Sequence, residues 1–243
     1  MNTETGRRVG RVGLSNRLLF LLLLVIVGTA AIDHLDAQGR QGPVGFACHS
    51  RYFAVMSYPE HPDVVSPDDK SAIHLTKEFS FRVISGGKEI ATLSYGDMSC
   101  CLEVGWSPDS RQFFITYSDG GATGGFHTHI FRISGSRIAE SPVTRVVADR
   151  FQSFHYSNTP GINLYFLDWT PDSRNVFLVG EVPPESYYGK NMGVYAGFLA
   201  NPSSGEILRR FGEKETTAIE KSCRATGSIS VPKPDASGLV GEP

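Results

Sequence analysis

Two stretches of this chain alternate apolar and polar residues with a period of two and then break at nearly the same turn. Leu102, Val104 and Trp106 lead into "SPDSR" and out into "QFFITY"; Tyr165, Leu167 and Trp169 lead into "TPDSR" and out into "NVFLVG". Alternation places successive side chains on opposite faces of a strand, and Pro and Asp supply the turn between strands. Each stretch is predicted to be a β-hairpin. A weaker copy emerges when Ser50-Arg51 is aligned on Ser110-Arg111 and Ser173-Arg174, which sets "GFACHSRYFAVMS" beside "GWSPDSRQFFITYS". Each copy is followed by strand, Gly/Ser turn and strand: "FSFRVISGGKEIATL", "HIFRISGSRIAES" and "YAGFLANPSSGEILRRF".

Four strands per repeat, three times over, predict an all-β, propeller-like array of about three four-stranded antiparallel blades, incomplete or atypical as a propeller. The repeats span 45–95, 100–147 and 162–212, within a domain running from 38 to 212. The segment 213–243 reads as a C-terminal tail. The "WSPDSR" and "WTPDSR" hairpins resemble the TolB-like (WD40-like) β-propeller repeat, whose mark is an aromatic residue before Ser/Thr-Pro-Asp-Gly/Ser-Arg/Lys. The resemblance covers roughly residues 45–212, with two clear hairpins and one weak one. It implies an extracytoplasmic binding scaffold rather than chemistry.

The N-terminus follows a different pattern. Arg7, Arg8, Arg11 and Arg17 precede the uncharged apolar run "LLFLLLLVIVGTAAI" from Leu18 to Ile32. Residues 1–37 read as a signal peptide or a signal anchor forming an N-terminal hydrophobic helix. The domain is then periplasmic or secreted, or held extracytoplasmic by residues 18–32, its one membrane contact. A formal charge of −2 lacks the basic footprint of a nucleic-acid binder.

Export permits disulfides among Cys48, Cys100, Cys101 and Cys223. The repeat alignment puts Cys48 on the opposite rim from Cys100 and Cys101, roughly 23 Å away at ~3.3 Å per strand residue. A bridge needs Cα atoms within about 7 Å, so Cys223 is expected to pair with Cys100 or Cys101.

Candidate sites are few. His127 and His129 lie two apart on a predicted strand, so their rings share one face, as a pair of metal-binding imidazoles requires. The alternative is two surface histidines on a polar strand face. The loops "YPEHPDVVSPDDKSA", "SDGGATGG" and "EVPPESYYGKN" are expected to share one rim, with Glu60, Asp63, Tyr187, Tyr188 and Lys190 as binding residues. The glycine cluster from Gly120 to Gly125 reads as a hairpin loop, since no helix or Gly-Lys-Ser/Thr follows it. The two Asp-Ser-Arg triplets read as turn residues; no Gly-x-Ser-x-Gly nucleophile elbow is present.

The function expected from the sequence is an exported non-catalytic protein that binds an envelope protein or a surface polymer through its loop rim. No cofactor is expected, and a homo-oligomer is one way to complete the propeller. Two alternatives stand beside this reading: a metal-dependent hydrolase or lyase using His127 and His129, and a fragment of a larger propeller protein.

Overall fold

The structure is a computed structural model and describes residues 47–48, 51–54, 63–76, 80–95, 101–120, 125–155, 161–184, 186–227 and 229. The chain divides into a unit from Met1 to Arg40 and a unit from Gln41 to Pro243. The leader and residues 18–32 lie outside the described residues. None of the described helices is long and apolar enough to cross a membrane.

The described part of the second unit is mostly strand, in three antiparallel sheets. Sheet 1 has β2 (Val64–Val65), β3 (Ser71–Leu75), β4 (Ser80–Ser85) and β5 (Lys88–Ser94) in sequence order. Sheet 2 has β6 (Cys101–Trp106), β7 (Gln112–Ser118), β8 (Phe126–Ser134) and β9 (Arg137–Glu140), with β1 (Arg51–Ala54) as a fifth strand on the free edge of β6. Sheet 3 has β10 (Asn163–Trp169), β11 (Val176–Glu181), β12 (Tyr195–Ala200) and β13 (Ile207–Phe211).

This arrangement corrects the third copy of the repeat. Arg51–Ala54 does not open the first sheet; it pairs with β6, from Arg51↔Val104 to Ala54↔Cys101. The true third turn is "SPDDK" at 66–70, where one hydrogen-bond pattern recurs three times. The first-position hydroxyl of Ser66, Ser107 or Thr170 donates to the carboxylate of Asp68, Asp109 or Asp172 at 2.6–2.8 Å. The carboxylate then accepts the backbone N–H of Lys70, Arg111 or Arg174. The residue between them takes left-handed backbone: Asp69 φ 58°, Ser110 φ 61° and Ser173 φ 58°. That conformation favours short polar residues, whose side chains bond locally.

The turns also hold the sheets together. The backbone N–H of Asp68 donates to Ser110 Oγ, and that of Asp109 donates to Ser173 Oγ, each at 3.0 Å. Gln112 Nε2 adds a bond to Ser173 O. The Asp-Ser-Arg triplets are therefore structural, with each serine receiving a bond from the preceding sheet. Ser173 is buried, so Ser173→Ala strands a donor and is expected to cost about 1–2 kcal/mol. Ser110→Ala frees an exposed N–H that water satisfies, and costs less. Urea midpoints of the two variants check the order.

Alternation divides the core. Sheets 1 and 2 share Ile73, Leu75, Phe81 and Val83 packed against Leu102, Val104, Phe113, Ile115 and Phe131. The opposite face of sheet 2 gives Phe114 and Ile130 to a second core with Leu164, Phe166, Leu178 and Phe198 of sheet 3.

Among the described residues two α-helices accompany the strands, and the fold remains mostly β as expected. Helix α1 (Val143–His155) sends Val143, Val147 and Phe151 into the second core. Ser141 Oγ accepts the Val143 N–H at its start, and Pro142 stands where its missing N–H costs nothing. Helix α2 (Glu213–Thr226) occupies what reads in sequence as a tail. It buries Thr216, Ile219, Glu220 and Cys223 on one stripe and ends at Gly227 in the left-handed region. Its apolar residues meet Tyr165, Leu167, Phe177, Val179 and Phe211 on the outer face of sheet 3.

The disulfide also differs from expectation. Cys223 pairs with Cys48, not with Cys100 or Cys101, at a Cα–Cα distance of 5.9 Å. The rim argument failed because Cys48 does not belong to sheet 1. Its N–H donates to Leu167 O of β10, which places Cys48 against sheet 3.

Candidate functional site

Strand β8 outruns its neighbour. Strand β9 pairs only from Phe131↔Glu140 to Ser134↔Arg137, and the last bond on that side runs from Ser141 N–H to Ile130 O. Pro142 then diverts the chain into α1. Hydrogen-bonding direction alternates along an antiparallel strand; the Ile133 N–H donates towards the β7 side, to Arg111 O. Thr128, in phase with Ile130, therefore aims its backbone N–H and C=O at the open edge, and no bond from either is seen among the described residues.

The Thr128 side chain is well held. Its hydroxyl bonds Leu164 O at 2.6 Å and Thr116 Oγ1 at 2.8 Å, which joins sheet 2 to sheet 3. One step along, the Phe126 N–H donates to Asn163 Oδ1. Asn163 is itself bonded to the buried Glu181, which also accepts the Tyr165 hydroxyl at 2.7 Å. The open position at Thr128 is thus framed by β9 and Ser141 on one side and by Asn163 on the other.

Beside it lies an open groove of about 250 Å³ between β8 and α1, lined by Phe126, Ile162, Leu164 and Ala148 with Glu140 and Arg145 among its polar residues. Small-molecule clefts run from roughly 300 to 1,000 Å³ and enclose most of their ligand. This groove is smaller and open.

His127 and His129 do share a face, opposite Tyr117 and Ile115 of β7. Both line the groove between β8 and α1, and each has a carboxylate partner of its own. His129 Nδ1 is 2.7 Å from Glu140 Oε1, and its ring stacks on Tyr95 at 4.7 Å. Burial, with Glu140 and Tyr117 beside it, pushes the Tyr95 hydroxyl above its ordinary range, so it stays protonated. His127 Nε2 lies 3.9 Å from Asp119 Oδ2 instead. Among the described residues, the set of three close metal-ligating side chains is a different one: Cys48, Asp168 and Cys223.

Of the predicted rim, the side chains of Asp63, Tyr188 and Lys190 lie among the described residues. Asp63 holds His74 Nδ1 at 2.6 Å. Glu60 and the Tyr187 side chain lie outside the described residues. Tyr188 packs against the second core, while Lys190 is exposed. The link between the second and third strands of sheet 1 is short, closed by Thr76 N–H to Ser80 O. Asp68 and Asp69 sit in the repeat turn at the other end of the strands. The hydroxyl of Ser66, then the Lys70 N–H, hold the Asp68 carboxyl below its usual range; Thr170 and Arg174 do the same for Asp172. A depressed carboxylate stabilises the fold above its unfolded value and loses that effect as pH falls through the folded one.

No protein-family model matches this chain, and no curated protein does. Among solved structures, the chain is similar to one described as Kuenenia stuttgartiensis Hydrazine Synthase, at 13% identity and a TM-score of 0.33. The match covers 62% of this chain and 49% of that one, so the chain spans about half its length.

Proposed function

We propose that this protein is an exported, non-catalytic binding module that receives an extended segment of an envelope protein along the open edge of β8. The observation that carries the reading is the groove beside β8, where the described pairing with β9 has ended and Thr128, 4% exposed, lines the wall. An added strand would take the two backbone bonds of Thr128 and place a side chain in the groove, with Arg145 at its margin. The three repeated turns support a propeller-like, TolB-like scaffold under this edge. The apolar leader, read from sequence, and the Cys48–Cys223 bridge fit an oxidising compartment.

The test uses residues 38–243 as bait in envelope extract, beside Ala148→Glu and Arg145→Glu. Both substitutions lie in the first two turns of α1 and put a carboxylate at the groove. Expected is capture of a partner that slows hydrogen exchange at the Thr128 amide, with capture lowered about tenfold by Ala148→Glu, the equivalent of ~1.4 kcal/mol. Equal capture by wild type and Ala148→Glu, with Thr128 exchange unchanged, sinks the proposal.

A further inference from the structure

We infer that Cys48, Asp168 and Cys223 form a redox-gated zinc site: closed while the two cysteines are bridged, and open to one Zn(II) ion once they are reduced. The three residues come from distant parts of the chain, yet a sulfur from each cysteine and a carboxylate oxygen lie within 4.8 Å of one another. The local backbone explains how. A register shift between Phe166 and Asp168 breaks the regular pairing of β10 with β11. Such a bulge re-aims the side chain beside it. Here Leu167 O accepts the Cys48 N–H, and the Asp168 side chain turns towards α2. Asp168 Oδ1 accepts the Trp169 N–H at 2.8 Å, which fixes the carboxylate; Oδ2 lies 3.9 Å from Cys223 Sγ.

Two thiolates and one carboxylate are a zinc donor set, at about 2.3 Å for sulfur and 2.0–2.2 Å for oxygen in tetrahedral geometry. Asp168 and Cys223 are buried, whereas Cys48 is half-buried. Three protein ligands with one side towards solvent leave a fourth position for water. Thiolates select a softer ion over Mg²⁺ or Ca²⁺, which prefer all-oxygen shells.

The chemistry balances with a dithiol reductant. The dithiol gives two electrons and two protons to the bridge, the S–S bond breaks, and the dithiol leaves as its own disulfide. Zn(II) then displaces the two thiol protons, which pass to solvent, and bonds both sulfurs and Asp168. An oxidising disulfide reverses the sequence: the bridge re-forms and the ion leaves.

The test uses the full chain carrying Cys100→Ser and Cys101→Ser, so that only this pair can be reduced, and zinc alone as the probe. Expected are one zinc per chain after reduction and none before it, and protection of Cys48 and Cys223 from alkylation by the bound metal. Asp168→Asn keeps the shape and an oxygen for the Trp169 N–H but loses the charge, and is expected to weaken zinc binding by about tenfold or more. Alkylation is read on the unsubstituted Asp168 chain, so the test stands even if Asp168→Asn fails to fold. A reduced chain that holds no zinc, zinc retained by the bridged form, or an unchanged affinity in folded Asp168→Asn overturns the inference.

Discussion

Phe166→Ala lowers the unfolding free energy by about 3–5 kcal/mol, the range for removing a buried aromatic from a core that cannot close around the gap. Phe166 is 1% exposed and lies flat against Phe114, with ring centroids 3.8 Å apart and planes 8° from parallel. The stack joins β10 of sheet 3 to β7 of sheet 2, so both rings lose a face when one is truncated. Trp169 also lies against Phe166, with ring centroids 5.1 Å apart. The surroundings are rigid: Leu164, Leu178 and Phe198 come from strands held in register, and α1 seals them with Val147 and Phe151. Chemical denaturation should show a lower midpoint with an unchanged slope, and Phe166→Leu should restore part of the loss by refilling volume. A loss below ~1.5 kcal/mol in Phe166→Ala would mean that the two sheets are held by the Thr128–Leu164 bond and the interlocked turns instead.

The hairpins at Trp106 and Trp169 were legible because alternation and a Pro-Asp turn are local signals. The third turn was missed for a local reason too. "SPDDK" follows Val65 rather than tryptophan and replaces Ser-Arg with Asp-Lys, so matching on Ser-Arg led to residues 50–51. The physics of the turn demands less than the letters: a hydroxyl, a carboxylate two residues on, and then a residue that tolerates positive φ, a place Asp69 fills as Ser110 does. Helix α1 had a readable start in Ser141-Pro142 and a four-residue spacing of Val143, Val147 and Phe151. Helix α2 is nearly all polar, and its stripe of Thr216, Ile219 and Cys223 acquires meaning only against the face of sheet 3.

The site divides in the same way. That His127 and His129 share a face follows from the period of a strand. That His129 is committed to Glu140 and Tyr95 depends on strands brought together from two sheets. The open position at Thr128 has no sequence signature, because it exists through the early end of β9 at Glu140. Cys48 was misplaced because its partner segment is the bulged β10, and a bulge is not visible in an alternating pattern.

Changing Cys48 and Cys223 together to serine is expected to cost about 2–5 kcal/mol. The bridge closes a loop with a sequence separation of 175 residues. At that length the chain-entropy estimate is near its upper end, about 5 kcal/mol at 25 °C, and residual structure in the unfolded chain reduces it. The loss should be seen in chemical denaturation of the bridged wild type against the double variant, without reductant in either. What the bridge fastens is the outer side of sheet 3. Sheet 3 turns Tyr165, Leu167, Phe177 and Val179 outward, a face as apolar as those buried between sheets, and α2 lies on it with Ile219 and Cys223. Among the described sheets, sheet 1 presents a polar outer face, where Arg82 pairs with Glu89 at 2.7 Å. A repeat array needs caps of this kind to remain soluble. Loosening α2 should therefore do more than lower the midpoint: the double variant should also bind more of a hydrophobic dye and sediment faster as concentration rises, before it unfolds. A double variant that loses stability without either effect would show that α2 stays docked through Thr216, whose hydroxyl accepts the Gly197 N–H at 2.8 Å, and that the bridge acts on the unfolded chain alone.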